Sequence, residues 1–370
     1  MTVESAETTA DRLRLLHLVA PDSLKSWFRH FVTLGAEDRV RWLGEQPTLP
    51  AEVTSEVLAE HHKADLTVIH SSHHTLIRDV SLAGELGYDP ATIVHQTAKA
   101  AMLGTDKLAM KQAFDACGVP TLPWRHPGGG GATIDDFKRM HSGPFVVKLR
   151  NGTEGRALRL QPAPDPGLRM SEFEEPFVDG IEYSVVLFRT LGRDVTFPTI
   201  WKGATRKDLL PPYQRLRLCP APDLSPEQDT SLRALSLRAA ETMDSEGFTE
   251  VELVVDTHGH AQVIEVNPRI AGTMRMAALA ADQRIFDLPA RRDVNGDLAT
   301  HRCSVEMPWL GEPWNDPGRM IYCTSRLTAA AASWDALIAL VDEVLDGGAG
   351  VPLEWRRSFD QALRELCPTP

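Results

Sequence analysis

The segment from Glu250 to Arg269, EVELVVDTHGHAQVIEVNPR, constrains this chain more than any other. Two apolar-rich runs, EVELVVD and AQVIEVN, flank THGH, a four-residue loop containing glycine, which is the pattern of a β-hairpin. If Asp256 opposes Ala261, Glu252 faces Glu265 directly across the strand pair. Opposed side chains have Cβ atoms about 4.5–5.5 Å apart, and like charges there repel unless something neutralises them. Asn267 lies two residues beyond Glu265 on the same face and adds a neutral oxygen. An all-oxygen set of this kind suits hard Mg²⁺ rather than zinc, and Mg²⁺ held by few carboxylates completes its shell with water and phosphate oxygens. The competing reading is an exposed hairpin whose acids face water.

Upstream signals favour the cation. The chain has 30 Arg but 9 Lys, and Lys207 is the last lysine, so each lysine invites a question. Lys148 sits within PFVVKLR, an apolar strand in which an unpaired ammonium is costly. The following NGTEGR carries Gly152 and Gly155, which permit an anion-binding turn of inward N–H groups. A lysine snorkelling from an edge strand beside an ordinary turn would give the same text. In EEPFVDGIE the extended Pro176-Phe177-Val178 backbone suits the edge of a flat heterocycle, and Glu182 opens the next strand with an acceptor for ribose hydroxyls, although two acidic surface turns would give the same text. TDKLAMKQAFDACGVP reads as a helix with Asp106 in its first turn and Gly118 as its terminator.

The chain is 42% hydrophobic and carries a net charge of −12, so it can build a core by burial, and its mean field repels nucleic acid and anionic lipid. Five scattered cysteines without a CxxC pair indicate reduced thiols. The N-terminal residues lack the positive charge of a signal peptide and no apolar run reaches membrane-spanning length, so a cytoplasmic location is expected.

A βαβ rhythm runs from Leu13 to Gln96, with helices expected over Ser23 to Leu34 and Ala51 to His61, but without a GxGxxG loop. The centre is β-rich. Leu210 to Pro226 reads as a loop, and Glu227 to Gly247 as a helix presenting Leu232, Leu235, Ala239 and Met243 on one side. Beyond Val294 only Ser333 to Leu345 stands out, as a helix. HHKADLTVIHSSHH holds five histidines, but a strand separates His61 and His62 from His73 and His74, so a surface or pocket role is expected rather than zinc.

The pieces TDK, GVPTLP, PFVVKLRNGTEG, EEPFVDGIEYSV, EVELVVD and IEVNPRIAG occur in one order across about residues 100–290. In this the chain resembles the ATP-grasp superfamily, specifically its carboxylate–amine ligases of the amino-acid and dipeptide type. The resemblance implies an α/β protein with an α+β centre. Its parts would be an N-terminal βαβ (pre-ATP-grasp) domain at 1–100, a lid subdomain at 101–178, a large subdomain carrying the metal site at 179–293, and a C-terminal extension at 294–370.

It further implies that Lys107 and Lys148 contact the α and β phosphates of ATP, that the Asn151–Gly155 loop with Gly152 closes over the γ phosphate, and that Glu175, Pro176, Phe177 and Val178 hold adenine. Glu182 would bind ribose, with Lys202 as a third nucleotide or substrate contact or else an exposed lysine. Glu252, Glu265 and Asn267 would hold two Mg²⁺ ions, with Mn²⁺ as a substitute. Arg269, catalytic with Lys148, would meet the transferred phosphate or the acyl phosphate, and Arg275 would read a substrate carboxylate.

The implied activity is amide formation through an acyl phosphate with release of ADP and phosphate. Its partners would be small acids and amines, with amino acids leading, and a homodimer is compatible. D-alanine-ligase-like and purine-pathway-like chemistry, or a non-catalytic ATP-binding sensor or scaffold, are the alternatives. A biotin-dependent carboxylase fits less well, because no lysine-centred biotinyl segment is present, although that segment can sit on another protein.

Overall fold

The computed structural model describes residues 13–152, 158–210, 214–309, 320–323 and 325–346, together with 361, 363 and 365–367. The first sheet is wholly parallel, with strands in the order Arg39–Trp42, Leu15–Val19, Leu66–His70 and Ile93–Val94. Leu15–Val19 and Leu66–His70 are buried at every position, as continuous apolar strands covered on both faces must be. The helix Ala51–His61 forms as expected.

The helix expected over Ser23 to Leu34 does not form. Two 3-10 segments, Asp22–Ser26 and Phe28–Phe31, stand there instead, separated at Trp27. In a 3-10 turn residues three apart eclipse, which brings Leu24 with Trp27 and Phe28 with Phe31 onto common faces. All four are buried, and Trp27 and Phe28 pack on Phe286 with ring centroids 5.4 and 4.5 Å away.

The second sheet has ten strands and is almost entirely antiparallel. Its main path runs from Ala261–Asn267 through Gly247–Asp256, Gly180–Thr190, Ile200–Ala204 and Arg217–Cys219 to Cys303–Pro308, Arg326–Ala331 and Met320–Cys323. Arg217–Cys219 lies inside the interval read as loop, and the last three strands lie where only a helix stood out. Short runs such as RLC and RLTAAA carry neither alternation nor β-branched enrichment, so only the sheet that receives them makes them strands. The terminal helix Trp334–Asp346 is present.

The helix Pro226–Thr242 starts on a Ser225–Gln228 capping box and buries Leu232, Leu235 and Ala239, with Met243 at its end. A third sheet pairs Arg159–Gln161, Phe145–Leu149 and Glu172–Pro176. It is tied to the helix Lys107–Cys117, because Lys107 N donates to Arg150 O at 2.9 Å and Arg150 pairs with Asp106 at 2.5 Å. Asp106 is the N-cap of that helix rather than part of its first turn, accepting from Leu108 N and Ala109 N. Gly118 ends the helix at φ 65°, as read. Among the described residues no helix is long and apolar enough to cross a membrane, and the five cysteines are free thiols.

Three histidines are built into the interior of the first sheet. His17 Nδ1 lies 3.1 Å from His70 Nε2, and His95 Nε2 lies 2.8 Å from Ser71 Oγ. Burial pushes His17 and His95 down from 6.5 to about 4, and burial with its imidazole neighbours pushes His70 further below its ordinary value. Unfolding lets each ring take up a proton that the fold excludes, so this stability is complete above pH 6.5 and is lost as pH falls toward 4. Urea titrations should lose about 2 kcal/mol per buried histidine between about pH 7 and 5. A flat stability profile over that window would contradict the assignment.

Candidate functional site

The hairpin reaches its register by an unexpected route. Near the turn, Val255 rather than Asp256 opposes Ala261, with Val254 on Gln262 and Leu253 on Val263. Continued unchanged, that register would put Glu252 opposite Ile264 and Glu265 on the other face. A bulge between Glu252 and Leu253 shifts the pairing by one residue, and Glu252 then faces Glu265 while Glu250 faces Asn267. The expected acid pair is therefore present although the expected turn register is not. Asn267 Nδ2 donates to Glu252 Oε1 at 3.4 Å, so the three oxygen-bearing groups converge.

Each acid of the pair has its own lysine. Lys107, the first residue of its helix, reaches Glu265 at 2.8 Å. Lys202, on the strand Ile200–Ala204 and only 2% exposed, reaches Glu252 at 2.8 Å, so it is not the solvent-exposed lysine of the alternative reading. Burial alone would raise Glu252, but Lys202, then Arg217 and Lys107, outweigh it and hold the carboxyl at about 2. Glu252 is thus a carboxylate at any working pH.

A second cluster centres on Glu175, which is completely buried. Lys111 approaches it at 2.5 Å, and Lys148 pairs with its other oxygen, so Lys148 turns inward instead of snorkelling. Burial opposes ionisation of Glu175, but the two ammoniums overcome it and lower its pKa. Lys111 was not anticipated as a site residue. It stands one helical turn after Lys107, and that spacing in DKLAMK was the available signal. It also donates to Thr121 Oγ1 at 2.6 Å.

These groups border one cavity of about 970 Å³. Lys107, Lys148, Glu175, Pro176, Phe177, Val178, Glu182, Lys202, Glu252, Glu265, Asn267, Arg269 and Arg275 all line it. Phe177 N donates to Pro144 O at 2.8 Å, and Glu182 pairs with Arg215 at 2.9 Å. Asn151 is exposed and Gly152 half-buried, and neither lines the cavity. Gly155 lies outside the described residues. His73 and His74 border the cavity too, in keeping with a pocket role, and among the described residues no cluster of three or more His, Cys, Asp or Glu suits a metal.

Arg269 donates to Ile270 O at 3.1 Å and to Asn267 Oδ1 at 2.9 Å. Arg275 is 4% exposed and reaches Glu306 at 2.6 Å, a carboxylate that also receives Arg217 at 2.8 Å and Arg326 at 2.7 Å. Arg217, Glu306 and Arg326 gave no local signal in the sequence, because each sits on a different short strand.

The family model described as carbamoyl-phosphate synthase L chain, ATP binding domain, matches residues 213–288, the stretch that contains the acid hairpin. A D-alanine–D-alanine ligase of Methylococcus capsulatus is 26% identical over 190 residues, covering 45% of this chain and 57% of that one. The chain spans about half the length of the curated relatives it matches first. Among solved structures, biotin carboxylase of Campylobacter jejuni superposes with a TM-score of 0.65 at 16% identity, covering 92% of each chain. An L-amino acid ligase from Bacillus licheniformis does so with a TM-score of 0.63 at 16% identity, covering 91% of this chain and 98% of that one. The chain is thus similar to an ATP-binding domain over residues 213–288, and it shares the fold of these enzymes over some nine-tenths of its length.

The donor set on the hairpin bears on the metal that this fold implies. Glu252, Glu265 and Asn267 offer only oxygen donors of interest to a hard cation, and both carboxylates now depend on lysines for compensation. Mg²⁺ is typically bound through one or two carboxylates plus phosphate oxygens, so this donor set fits it.

Glu175→Gln should cost about 3–5 kcal/mol, because it strands two buried ammoniums around a neutral amide. Urea denaturation of the variant against the parent chain measures this, and a loss below about 1 kcal/mol would show that the pair is not a supporting element.

Proposed function

We propose that this protein is an ATP-dependent carboxylate–amine ligase that joins two amino acids, or an amino acid and another amine, through an acyl phosphate, releasing ADP and phosphate. The observation that carries the reading is the register-locked Glu252–Glu265 pair, with Lys107 and Lys202 on its two acids, opening on the same cavity as the Lys148–Glu175 pair. A structural hairpin has no need of two lysines, one of them buried, to hold two opposed glutamates together.

In this reading Lys107 and Lys148 take the α and β phosphates, and the segment beginning at Asn151 and Gly152 closes on the γ phosphate. The Glu175, Pro176, Phe177, Val178 edge receives adenine, with Glu175 fixed by Lys111 and Lys148. Glu182 accepts the ribose hydroxyls. Glu252, Glu265 and Asn267 would hold Mg²⁺, which would neutralise the charge that builds on phosphoryl oxygens during transfer. Lys107 and Lys202 would pass from their carboxylates to the arriving phosphates, so the same lysines serve the acids and the nucleotide.

A carboxylate does not react with an amine at neutral pH because its oxygen is a poor leaving group. Phosphoryl transfer to that oxygen makes phosphate the leaving group. Arg269, held in place by Asn267 and the Ile270 carbonyl, steadies the transferred phosphate next to the attacking carboxylate. The amine then adds, and phosphate departs from the tetrahedral intermediate. No protein nucleophile takes part. Support for amino acids as substrates comes from the likeness to an L-amino acid ligase and a D-alanine–D-alanine ligase.

ADP release measured over a panel of paired amino acids should depend on both members of a pair. Glu265→Ala should lower that turnover by about 100-fold or more, the scale seen when a transition-state electrostatic contact is removed, while the circular dichroism spectrum is retained. Tight ATP binding without turnover for any pair would favour a nucleotide-binding sensor, and parental rates in Glu265→Ala would remove the metal assignment.

A further inference from the structure

Gly104 stands buried in the helix Ala98–Thr105. Glycine is the poorest helix former after proline, so a buried helical glycine calls for a packing reason. A methyl group at Gly104 would lie 2.5 Å from Pro268 Cδ and closer still to Pro268 Cγ. Carbon atoms in contact prefer about 3.5–4.0 Å, so only a hydrogen fits between helix and ring. Pro268 cannot swing aside as a flexible side chain would, because its ring is bonded to its own backbone nitrogen.

Pro268 is the middle residue of a tight turn that Arg269 N closes by donating to Asn267 O at 2.8 Å. The flanking side chains are tied to each other as well, since the Arg269 guanidinium donates to Asn267 Oδ1 at 2.9 Å, and both residues line the cavity. Past the turn, Ile270 N donates to Ser71 O at 3.3 Å, which holds the segment from the first sheet. A displaced Pro268 therefore moves Asn267 and Arg269 together.

The helix side of the contact is equally well connected. Asp106 ends the helix that holds Gly104 and is the N-cap of the next, so Lys107 follows Gly104 by three residues through one shared cap. Lys107 Nζ reaches Glu265, two residues before Asn267, at 2.8 Å. The helix junction thus meets the end of the hairpin twice, through the Lys107–Glu265 ion pair and through the Gly104–Pro268 contact. In the ligase reading the ion pair gives way when phosphates arrive, whereas the packed contact does not depend on charge.

We propose that Gly104 is a positioning residue for the metal–nucleotide site: by seating Pro268 with no side chain between them, it sets Asn267 and Arg269 at the distance from Lys107 that a magnesium nucleotide spans. This inference rests on the ligase reading and adds a residue to its site.

The test is isothermal titration of the full chain with ADP, once in Mg²⁺ and once in EDTA, so that no turnover occurs. The quantity read is the gain in ADP affinity that Mg²⁺ brings. Gly104→Ala should lower that gain about tenfold or more, the scale on which losing a group that orients metal ligands is felt, and keep ADP affinity in EDTA within about twofold. Pro268→Ala removes Cγ and Cδ and should lower the gain by itself, because the seat is emptied. The double variant Gly104→Ala/Pro268→Ala puts a methyl group where the ring stood and should recover about threefold or more over Gly104→Ala alone, the non-additivity of residues in contact.

Loss by the same factor in Mg²⁺ and in EDTA overturns the inference, since a merely structural defect acts on both. A gain that survives Gly104→Ala overturns it too, as does a double variant no better than Gly104→Ala. Should Gly104→Ala lack a cooperative urea transition, Pro268→Ala decides: a lowered gain with EDTA affinity kept supports the proposal, and an undiminished gain overturns it. A parent chain that gains nothing from Mg²⁺ overturns the ligase reading and this inference together, whereas each of the preceding negative results leaves the ligase reading standing.

Discussion

Two glutamates set face to face on neighbouring strands are the constraint from which the rest of this site follows. At that spacing they cannot both be ionised and uncompensated. The fold answers with Lys107 from a helix start and Lys202 from a neighbouring strand, each at 2.8 Å from its acid. The solution is costly to assemble, because both ammoniums and both carboxylates leave bulk water. In the proposed ligase reading, protein cations and protein anions hold each other until a nucleotide and its metal exchange with them.

The same logic organises the surroundings. Glu175 binds Lys111 and Lys148 into a buried trio that locks the helix Lys107–Cys117 against the three-stranded sheet. Glu306 gathers Arg217, Arg275 and Arg326 from two strands and a helix into one wall. Each cluster is centred on a carboxylate with no solvent exposure that receives two or three cations. The cavity between them is therefore a place where anions are wanted, although the whole chain carries a net charge of −12. Net charge describes the surface and its solubility, and says little about a pocket whose walls are chosen residue by residue.

Much of the site was legible because its chemistry is carried by local text. A lysine inside an apolar strand, acids thirteen residues apart across a glycine turn, and an Asn two positions later are each odd where they stand, and oddness of that kind survives in one dimension. The helix Lys107–Cys117 was legible down to its glycine terminator, since caps are local chemistry. Other parts were hidden for equally physical reasons. The aromatic stretch after Asp22 reads as a helix by spacing, but burial of Leu24, Trp27, Phe28 and Phe31 selects 3-10 turns. The strands Arg217–Cys219 and Arg326–Ala331 have no periodic signature and exist because each is paired on both sides within the sheet.

The sequence by itself determined which residue types are available to bind phosphate, cation and carboxylate, and it put Glu252 and Glu265 on strands that had to pair. Only the tertiary structure decided that they meet. The turn sets a register that would have separated them, and the bulge beside Glu252 restores it, a correction that depends on how the hairpin packs between Gly180–Thr190 and the helix at its back. Tertiary structure alone likewise brought Arg217, Arg275, Glu306 and Arg326 together, since residues up to 109 positions apart share no local pattern and are joined only by the sheet and the helix Met274–Ala280 packed on it. Local interactions are written along the chain, whereas the balance of buried charge is a sum over neighbours in space.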